Sequence, residues 1–239
     1  MAAVNTSARP GAQLRRERAR ATRRRILEAA YRLFAEQGYA VSMDALAAEA
    51  GVAVQTLYFT FHTKAELLKG AVGLAAAGED EPVPVIQRPW MKELETATTG
   101  ERVLALLVEH GTDIRRRVAP LTPAIQSASS VDPEVAQYWE SVNKERHAGM
   151  RHHVALLARK GWLRQSLNLD QAADILHVLH GPDVFLAFTA GCGWSVEAFK
   201  GWQYVALCQE LLGTRPRRRL TRRALDAARG TSFHGVLAD

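Results

Sequence analysis

The side chains that could do chemistry in the stretch "GVAVQTLYFTF", residues 51–61, are one amide and three hydroxyl groups. The stretch holds no histidine or carboxylate, which are the usual general acids and bases of enzymes. An amide and hydroxyls form directional hydrogen bonds instead, and an amide can bond two atoms of one base edge at once. The stretch therefore indicates recognition rather than catalysis.

The sequence around this stretch predicts two short helices joined by a tight turn. Ser42 has the position of an N-cap, and Leu46 lies on the apolar stripe of the first helix. Gly51 breaks that helix, and the second is predicted from about residue 53 to 61. Leu46 and Leu57 can meet in the angle between them. This is the layout of a helix-turn-helix, whose second helix enters the DNA major groove.

The rest of the chain also predicts helices, so the fold class is all-α. Helical periodicity runs from about residue 15 until Gly38 stops it, and Thr63 with Glu66 predicts a capping box for the helix after the turn. The acidic, proline-rich residues 77–89 are predicted to be a loop. Further helices are predicted at residues 100–118, from Asp132 to Arg159, from an Asp170 cap to a break at Gly181–Pro182, and from a Ser195 cap to Gly213.

Charge is unevenly distributed along the 239 residues. Residues 9–25 hold eight Arg and one Glu, and residues 214–239 hold seven Arg and two Asp. Since the whole chain carries +6 and these two segments carry +7 and +5, residues 26–213 carry −6. Basic arms on an acidic body indicate a polyanionic partner, although a solvated tail is an equal reading for the C-terminal arm.

Several classes of function are disfavoured by what the sequence lacks. Two cysteines without a CxxC spacing cannot form a four-thiolate metal site, and "HVLH" offers His177 and His180 no evident third ligand. No apolar run reaches the length of a membrane span, and the N-terminus has no signal-peptide pattern. We expect a reduced, cytoplasmic protein that is not an enzyme, with no metal, no cofactor and no membrane partner.

A family resemblance covers residues 22–68. This segment resembles the DNA-binding head of the tetracycline-repressor (TetR) family of bacterial regulators. The matching motifs are "ILEAAYRLFAEQGY", "ALAAEAGV", "TLYFTF" and "KAELL".

The resemblance implies an all-α homodimer with four segments in each chain. These are a disordered basic arm at 1–20, the DNA-binding head at 21–68, a helical ligand-binding and dimerisation domain at 69–213, and a basic, disordered tail at 214–239. Dimerisation is expected through the helices near 168–190 and 195–212. The implied function is a transcriptional regulator, most often a repressor, which a small-molecule effector releases from an inverted-repeat operator in double-stranded DNA.

Candidate DNA contacts follow from the chemistry of each side chain and from the resemblance. Gln55 can bond adenine N6 and N7 bidentately, whereas Tyr58 and Lys64 resemble the family's phosphate contacts. The arginines at 20 and 23–25 are expected near the DNA backbone. The full set of candidate contacts in the head is Ser42, Val54, Gln55, Thr56, Tyr58, Phe59, Thr60 and Lys64.

Some of these assignments leave a structural alternative open. Tyr58 could be a half-buried core residue, and Phe59 could cover only its own domain. Ala53 stands where the family often has serine, so the recognition helix is expected to lack a side-chain cap, a loss of about 1 kcal/mol.

Candidate effector contacts are assigned among the aromatic and apolar residues of the C-terminal part: Leu107, His110, Trp139 and Phe185. Two alternatives remain open at this point. One is a DNA-binding regulator or architectural protein without an effector, and the other is a helical ligand carrier or enzyme with a vestigial head.

Overall fold

The fold was analysed in a computed structural model that describes residues 10–78 and 89–214. Over these two ranges the chain forms eleven α-helices and no strand. The helices are α1 Pro10–Gln37, α2 Met43–Ala50, α3 Val54–Thr60, α4 Lys64–Ala77, α5 Pro89–Thr96, α6 Gly100–Val118, α7 Thr122–Ser129, α8 Pro133–Arg159, α9 Leu169–Leu179, α10 Pro182–Leu186 and α11 Val196–Leu207. Single π-helical turns, Ala187–Gly191 and Cys208–Leu212, extend α10 and α11.

The head consists of α1–α4 and packs around one face of α1. Ile26, Ala30 and Phe34 lie on that face at helical spacing and are buried against the following helices. On the outer side, Arg32 of α1 donates two hydrogen bonds to one carboxylate oxygen of Glu49 in α2, at 3.1 and 2.8 Å. The α1 face therefore fixes where α2 and α3 can lie.

The turn between α2 and α3 has the geometry that the sequence predicts. The Ser42 hydroxyl accepts a hydrogen bond from the Ala45 amide at 3.1 Å and caps α2. Gly51 has φ +62°, a left-handed conformation that glycine adopts without the steric cost of a side chain. The Val52 amide then bonds the Ala47 carbonyl at 3.0 Å, which closes the turn. Leu46 and Leu57 are both buried where the two helices meet.

The body is built from the helix pairs α8–α9 and α6–α11. The α8–α9 pair is antiparallel, since Arg151 bonds Asp170 whereas the earlier residue Arg146 bonds the later residue His177. The core shared by these four helices includes four fully buried leucines: Leu104, Leu157, Leu176 and Leu207. Burial of each such side chain is worth about 1.5–3 kcal/mol, so this core contributes strongly to the stability of the body.

The structure corrects several of the sequence predictions. Residues 10–20, predicted as part of a disordered arm, form the first turns of α1. Asn168, not Asp170, caps α9. The helices α5 and α7 were not predicted, because the prolines around them suggested irregular chain. The predicted loop over most of 77–89, the first nine residues and the tail after Thr214 lie outside the described residues.

Asn168 rather than Asp170 caps α9 because it forms a reciprocal pair of hydrogen bonds with Gln171. The Asn168 side chain accepts from the Gln171 amide at 2.9 Å, and the Gln171 side chain accepts from the Asn168 amide at 3.2 Å. This reciprocal box satisfies two backbone donors at once. Asp170 falls inside the first turn, where its carboxylate pairs with Arg151 at 2.9 Å on the surface.

We predict that Asn168→Ala lowers the free energy of unfolding by about 1 kcal/mol, because it removes the cap oxygen. Asp170→Ala is the matched control and should change stability by less than about 0.5 kcal/mol, since it breaks an exposed ion pair. Denaturant unfolding of both variants measures the difference. Equal losses, or a larger loss for Asp170→Ala, would contradict the assignment of the cap.

Candidate nucleic-acid interface

The outer face of α3 presents the residues that the sequence assigns to DNA. Leu57 is completely buried on the opposite face, so it fixes the rotation of the helix about its axis. Gln55 and Thr56 are exposed as a consequence. The N-cap residue of α3, Ala53, provides no side-chain hydrogen bond, as expected from the sequence.

The exposure of the two aromatic residues distinguishes between the readings left open above. Tyr58 is 48% exposed and Phe59 is 85% exposed. Phe59 therefore covers nothing in its own domain, and Tyr58 is not a core residue. Both rings lie on the same short helix as the polar groups of Gln55 and Thr56, which can bond bases.

The other candidates near α3 are partly engaged within the protein. The Thr60 hydroxyl donates to the Thr56 carbonyl at 2.7 Å, which leaves its oxygen as an acceptor. Val54 packs at the edge of the head core. The Ser42 oxygen caps α2, but its side chain is exposed and its hydroxyl hydrogen can still be donated.

Two arginines of the predicted DNA-binding arm have partners in the head. The Arg23 guanidinium lies 4.2 Å from the centroid of the Phe61 ring, and it donates to the Thr60 carbonyl at 3.4 Å. Arg23 thus caps the C-terminal end of α3. Arg24 pairs with Glu28 one turn later in α1, at 2.7 Å. Arg20 and Arg25 are exposed on the same helix.

Lys64, the predicted phosphate contact, is held in place by residues of two other segments. It is the first residue of α4, and its ammonium lies 4.6 Å from the centroid of the Tyr39 ring. Partial burial lowers the pKa of Lys64, while the nearby charge of Asp132 opposes that shift. The Tyr39 hydroxyl donates a 2.6 Å hydrogen bond to the Asp132 carboxylate, which lowers the pKa of that carboxyl.

The first turn of α8 makes further contacts with the head. One Glu134 oxygen accepts from the Thr63 hydroxyl at 3.0 Å, and the other pairs with Lys69 at 2.8 Å. Thr63 is the N-cap of α4, and the amide of His62 donates to Glu66 at 3.1 Å. The Thr63 hydroxyl accepts from the Glu66 amide at 3.0 Å, as the predicted capping box requires, whereas the Glu66 carboxylate bonds the amide of His62 rather than that of Thr63. Asp132 and Glu134 together hold the segment that carries Lys64.

Comparison with known proteins agrees with this geometry. Residues 26–71 match the family model described as bacterial regulatory proteins, tetR family. The head is thus a DNA-binding domain of the TetR type. Proteins of this family are DNA-binding transcription regulators, and α3 is the second helix of the helix-turn-helix that the match covers.

Solved structures share the fold at low sequence identity. A transcriptional regulator from Saccharomonospora viridis in complex with choline has a TM-score of 0.61 and 22% identity, covering 80% of this chain and 97% of that one. The SmeT–triclosan complex has a TM-score of 0.61 and 18% identity, covering 84% and 94%. A gamma-butyrolactone receptor described as ArpA-like has a TM-score of 0.58 and 20% identity, covering 90% and 100%. No curated protein matches the sequence.

The four candidate effector contacts lie in separate parts of the structure. Leu107 is buried in the core between α6 and the other long helices, and His110 stacks on Trp90 with ring centroids 4.8 Å apart. Phe185 packs edge-on against Phe199, at 5.2 Å between centroids. Trp139 lies at an open groove of about 660 Å³ along α8. The structure does not bring the four side chains together.

A cluster that the sequence reading missed lies in the interior of the body. It contains two arginines and three histidines, and we call it the basic core: Arg115, Arg146, His153, His177 and His180.

The two arginines of the basic core bond the C-terminal end of α9. Arg115 donates to the His180 carbonyl at 3.1 Å, and Arg146 donates to the His177 carbonyl at 2.8 Å. Gln203 of α11 donates to the Leu179 carbonyl at 2.5 Å and accepts from Arg115 at 2.8 Å. These contacts satisfy carbonyl groups that a helix end leaves without partners. The sequence signal was available, since Arg115 continues the buried stripe of α6 at helical spacing.

The histidines of the basic core are held neutral by burial. Burial, followed by the charge of His152, lowers the pKa of His153 to about 4. Burial and then Arg146 lower the pKa of His177 to about 4, and the pKa of His180 falls well below its usual value. Within the described ranges, no group of three His, Cys, Asp or Glu side chains is arranged to hold a metal ion, and no helix is long and apolar enough to cross a bilayer.

We predict that acidification destabilises the protein between pH 7 and pH 5. An unfolded histidine binds a proton below about pH 6.5, whereas folded His153 stays neutral until about pH 4, so the stabilising contribution is lost as the pH falls through this window. The slope from this residue is up to about 1.4 kcal/mol per pH unit. Urea unfolding as a function of pH measures it.

His153→Leu should reduce this slope, whereas His152→Leu should reduce it much less, because His152 is exposed and acts on His153 only through its charge. An identical slope in wild type and His153→Leu would show that His153 is not held neutral by the fold.

Proposed function

We propose that the protein is a cytoplasmic homodimeric repressor that binds an inverted-repeat operator through α3 and leaves it when a small-molecule effector binds the body. The observation that carries this proposal is the outer face of α3, where Gln55, Tyr58 and Phe59 are exposed while Leu57 anchors the helix. The family supports the coarser part, since its members bind DNA and effectors as dimers and are generally not enzymes.

Each exposed group of α3 has a distinct task in this proposal. Gln55 reads a base edge, and Thr56 and Thr60 supply hydrogen bonds to bases or phosphate. Phe59 and Val54 contact thymine methyls or sugar edges. Tyr58, Ser42 and Lys64 bind phosphates and set the register, and the N-terminus of α4 adds its free amides to the charge of Lys64.

The dimer is proposed to form through α10 and α11. Phe188, Trp194 and Trp202 form a partly exposed aromatic cluster there, with Phe188 at 4.8 Å from Trp194 and 4.3 Å from Trp202 between ring centroids. A two-fold dimer would bury this face against its copy. It would also place two copies of α3 about 34–36 Å apart, which matches successive major grooves on one side of DNA.

Effector release is proposed to act through α8. This helix bonds the head with Asp132 and Glu134 at one end, and its later turns carry Arg146 and His153 of the basic core. An effector that binds better when α8 is displaced would favour that state, and the head would lose its DNA-bound orientation. The effector and DNA would then weaken each other's binding by the same factor.

Footprinting on DNA upstream of the protein's own gene tests the proposal, and we predict protection of an inverted repeat. Phe59→Ala should weaken that binding about tenfold, equal to ~1.4 kcal/mol, while changing stability by less than about 0.5 kcal/mol. Leu57→Ala is the contrasting control on the same helix and should cost about 2–5 kcal/mol of stability. Absence of a protected repeat for the wild type would overturn the regulator proposal.

We predict that loss of a phosphate contact and loss of a base contact change DNA binding in different ways. Lys64→Ala should weaken binding on all DNA sequences and reduce the slope of log affinity against log salt by about 0.9. Gln55→Ala should instead relax the preference at one base pair by about 1–3 kcal/mol. Titration of the operator and single-base variants at several salt concentrations separates the two.

Lys92→Ala, an exposed lysine of α5 in the body, is the control and should leave both quantities unchanged. A uniform loss for Gln55→Ala on every sequence would show that Gln55 is not a base reader.

A further inference from the structure

Neither arginine of the basic core has a carboxylate in direct contact within the part of the chain that the structure describes. Among the described residues, no Asp or Glu oxygen lies within ion-pair distance of Arg115 or Arg146. Asp174 pairs with His147 on the surface, and Glu109 pairs with Lys200 on the far side of α6. Arg115 is nevertheless only 6% exposed. A buried guanidinium normally has a carboxylate or another anion beside it.

The partners that Arg115 and Arg146 do have supply less charge than the arginines carry. Both donate to carbonyls at the C-terminal end of α9, and the end of a helix is equivalent to about half a negative charge. Two guanidinium groups carry two positive charges, and neither loses its proton at neutral pH. The α9 end therefore offsets about a quarter of the charge. Arg146 is partly exposed and also feels the charge of Asp183, so the interior charge that lacks an anion is that of Arg115.

The same cluster contains most of the unsatisfied buried polar atoms in the part of the chain that the structure describes. Five such side-chain atoms occur there, and four belong to the basic core: Arg115 Nε, His153 Nδ1, His177 Nδ1 and His180 Nδ1. Buried polar atoms are usually hydrogen-bonded, because an orphan costs about 1–3 kcal/mol. Four orphans in one basic cluster indicate a group that the protein itself does not supply.

The chain makes room for this cluster at Gly111 of α6. A Cβ atom at this position would lie 2.0 Å from Nε2 of His180, so only glycine lets the His180 ring rest against α6 beside Arg115. Thr112 and Gln203 each accept a 2.8 Å hydrogen bond from the Nη2 atom of Arg115 and fix the plane of its guanidinium. Residues of α6, α9 and α11 therefore hold the site in place, so its geometry does not depend on one flexible side chain.

We propose that the basic core binds the carboxylate group of the effector, so that the ligand is a small organic acid with an apolar body. This inference rests on the proposed function and names the chemical class of its effector. A carboxylate accepts from Arg115 Nε–H and from histidine N–H groups, and it supplies the missing negative charge. The few donors available suit a single planar anion.

The apolar part of the ligand follows from what surrounds the charge. The Arg115 guanidinium lies 6.0 Å from the centroid of the Phe199 ring, which in turn packs on Phe185 and Trp202. Aromatic walls on one side of a carboxylate favour an aryl or alkyl acid over a sugar acid, because the indole N–H of Trp202 is the single hydrogen-bonding group among these three side chains.

Thermal unfolding of the full chain tests the proposal without DNA. The probes are benzoate, phenylacetate and octanoate, each compared with its neutral amide at constant ionic strength, with sodium phosphate as a further anion. At least one acid should raise Tm by about 5 °C or more when it is in hundredfold excess over its Kd, and its amide should not. Equal shifts from acid and amide, a shift from phosphate alone, or no shift from any acid would overturn the proposal.

Variants connect the shift to the basic core. Arg115→Met should abolish it, and His153→Leu should weaken acid binding at least several-fold. His152→Leu, the exposed neighbour, should retain the wild-type shift. If Arg115→Met does not fold, the His153 and His152 pair decides, because equal shifts in those two variants would overturn the proposal.

The outcome is independent of DNA binding. Should the acids stabilise the protein while footprinting finds no protected repeat, the regulator proposal fails and the acid site stands. Should the repeat be protected while no acid stabilises the protein, the acid site fails and the DNA-binding role stands.

Discussion

The rest of the structure depends on the hydrogen bonds and the ion pair between the N-terminus of α8 and the head. Asp132 caps α8 by accepting from the Glu134 amide, and its second oxygen accepts from Tyr39. The same carboxylate thus starts the long helix of the body and holds the ring against which Lys64 rests. A displacement of α8 cannot leave the DNA-binding surface unaffected, because one side chain serves both elements.

The contacts between α8 and the head are weak enough to be broken and formed again reversibly. A hydrogen bond to a charged group such as Tyr39–Asp132 contributes about 1.5–3 kcal/mol, while the partly exposed Lys69–Glu134 pair adds about 0–1 kcal/mol. Coupling between two ligand sites is typically 1–3 kcal/mol. The contact can therefore bias the orientation of the head, yet the differential binding energy of one effector is enough to break it.

The head and the body differ in how far their sequence predicts them. In the head, each local signal agrees with the fold: the Ser42 cap, Gly51 in the left-handed region and Leu57 at the buried position. Motif and periodicity were thus sufficient for the helices and for the exposed face of α3. They could not show that Arg23 caps α3, since that contact joins residues 37 apart in sequence.

In the body, the sequence predicted long helices but not the site between them. Periodicity places Leu107 and Phe185 inside, yet it cannot tell which buried faces meet, and the two lie in different clusters. The sequence did not predict the basic core because its members come from α6, α8 and the end of α9. Each of them alone resembles an ordinary surface or core residue. Only the folded structure shows that two arginines bond the same helix end, which balances a fraction of their charge. If an anion completes this imbalance, as we propose, α8 is the element that connects the site to the head, because it carries Arg146 and His153 in its later turns and bonds the head at its start.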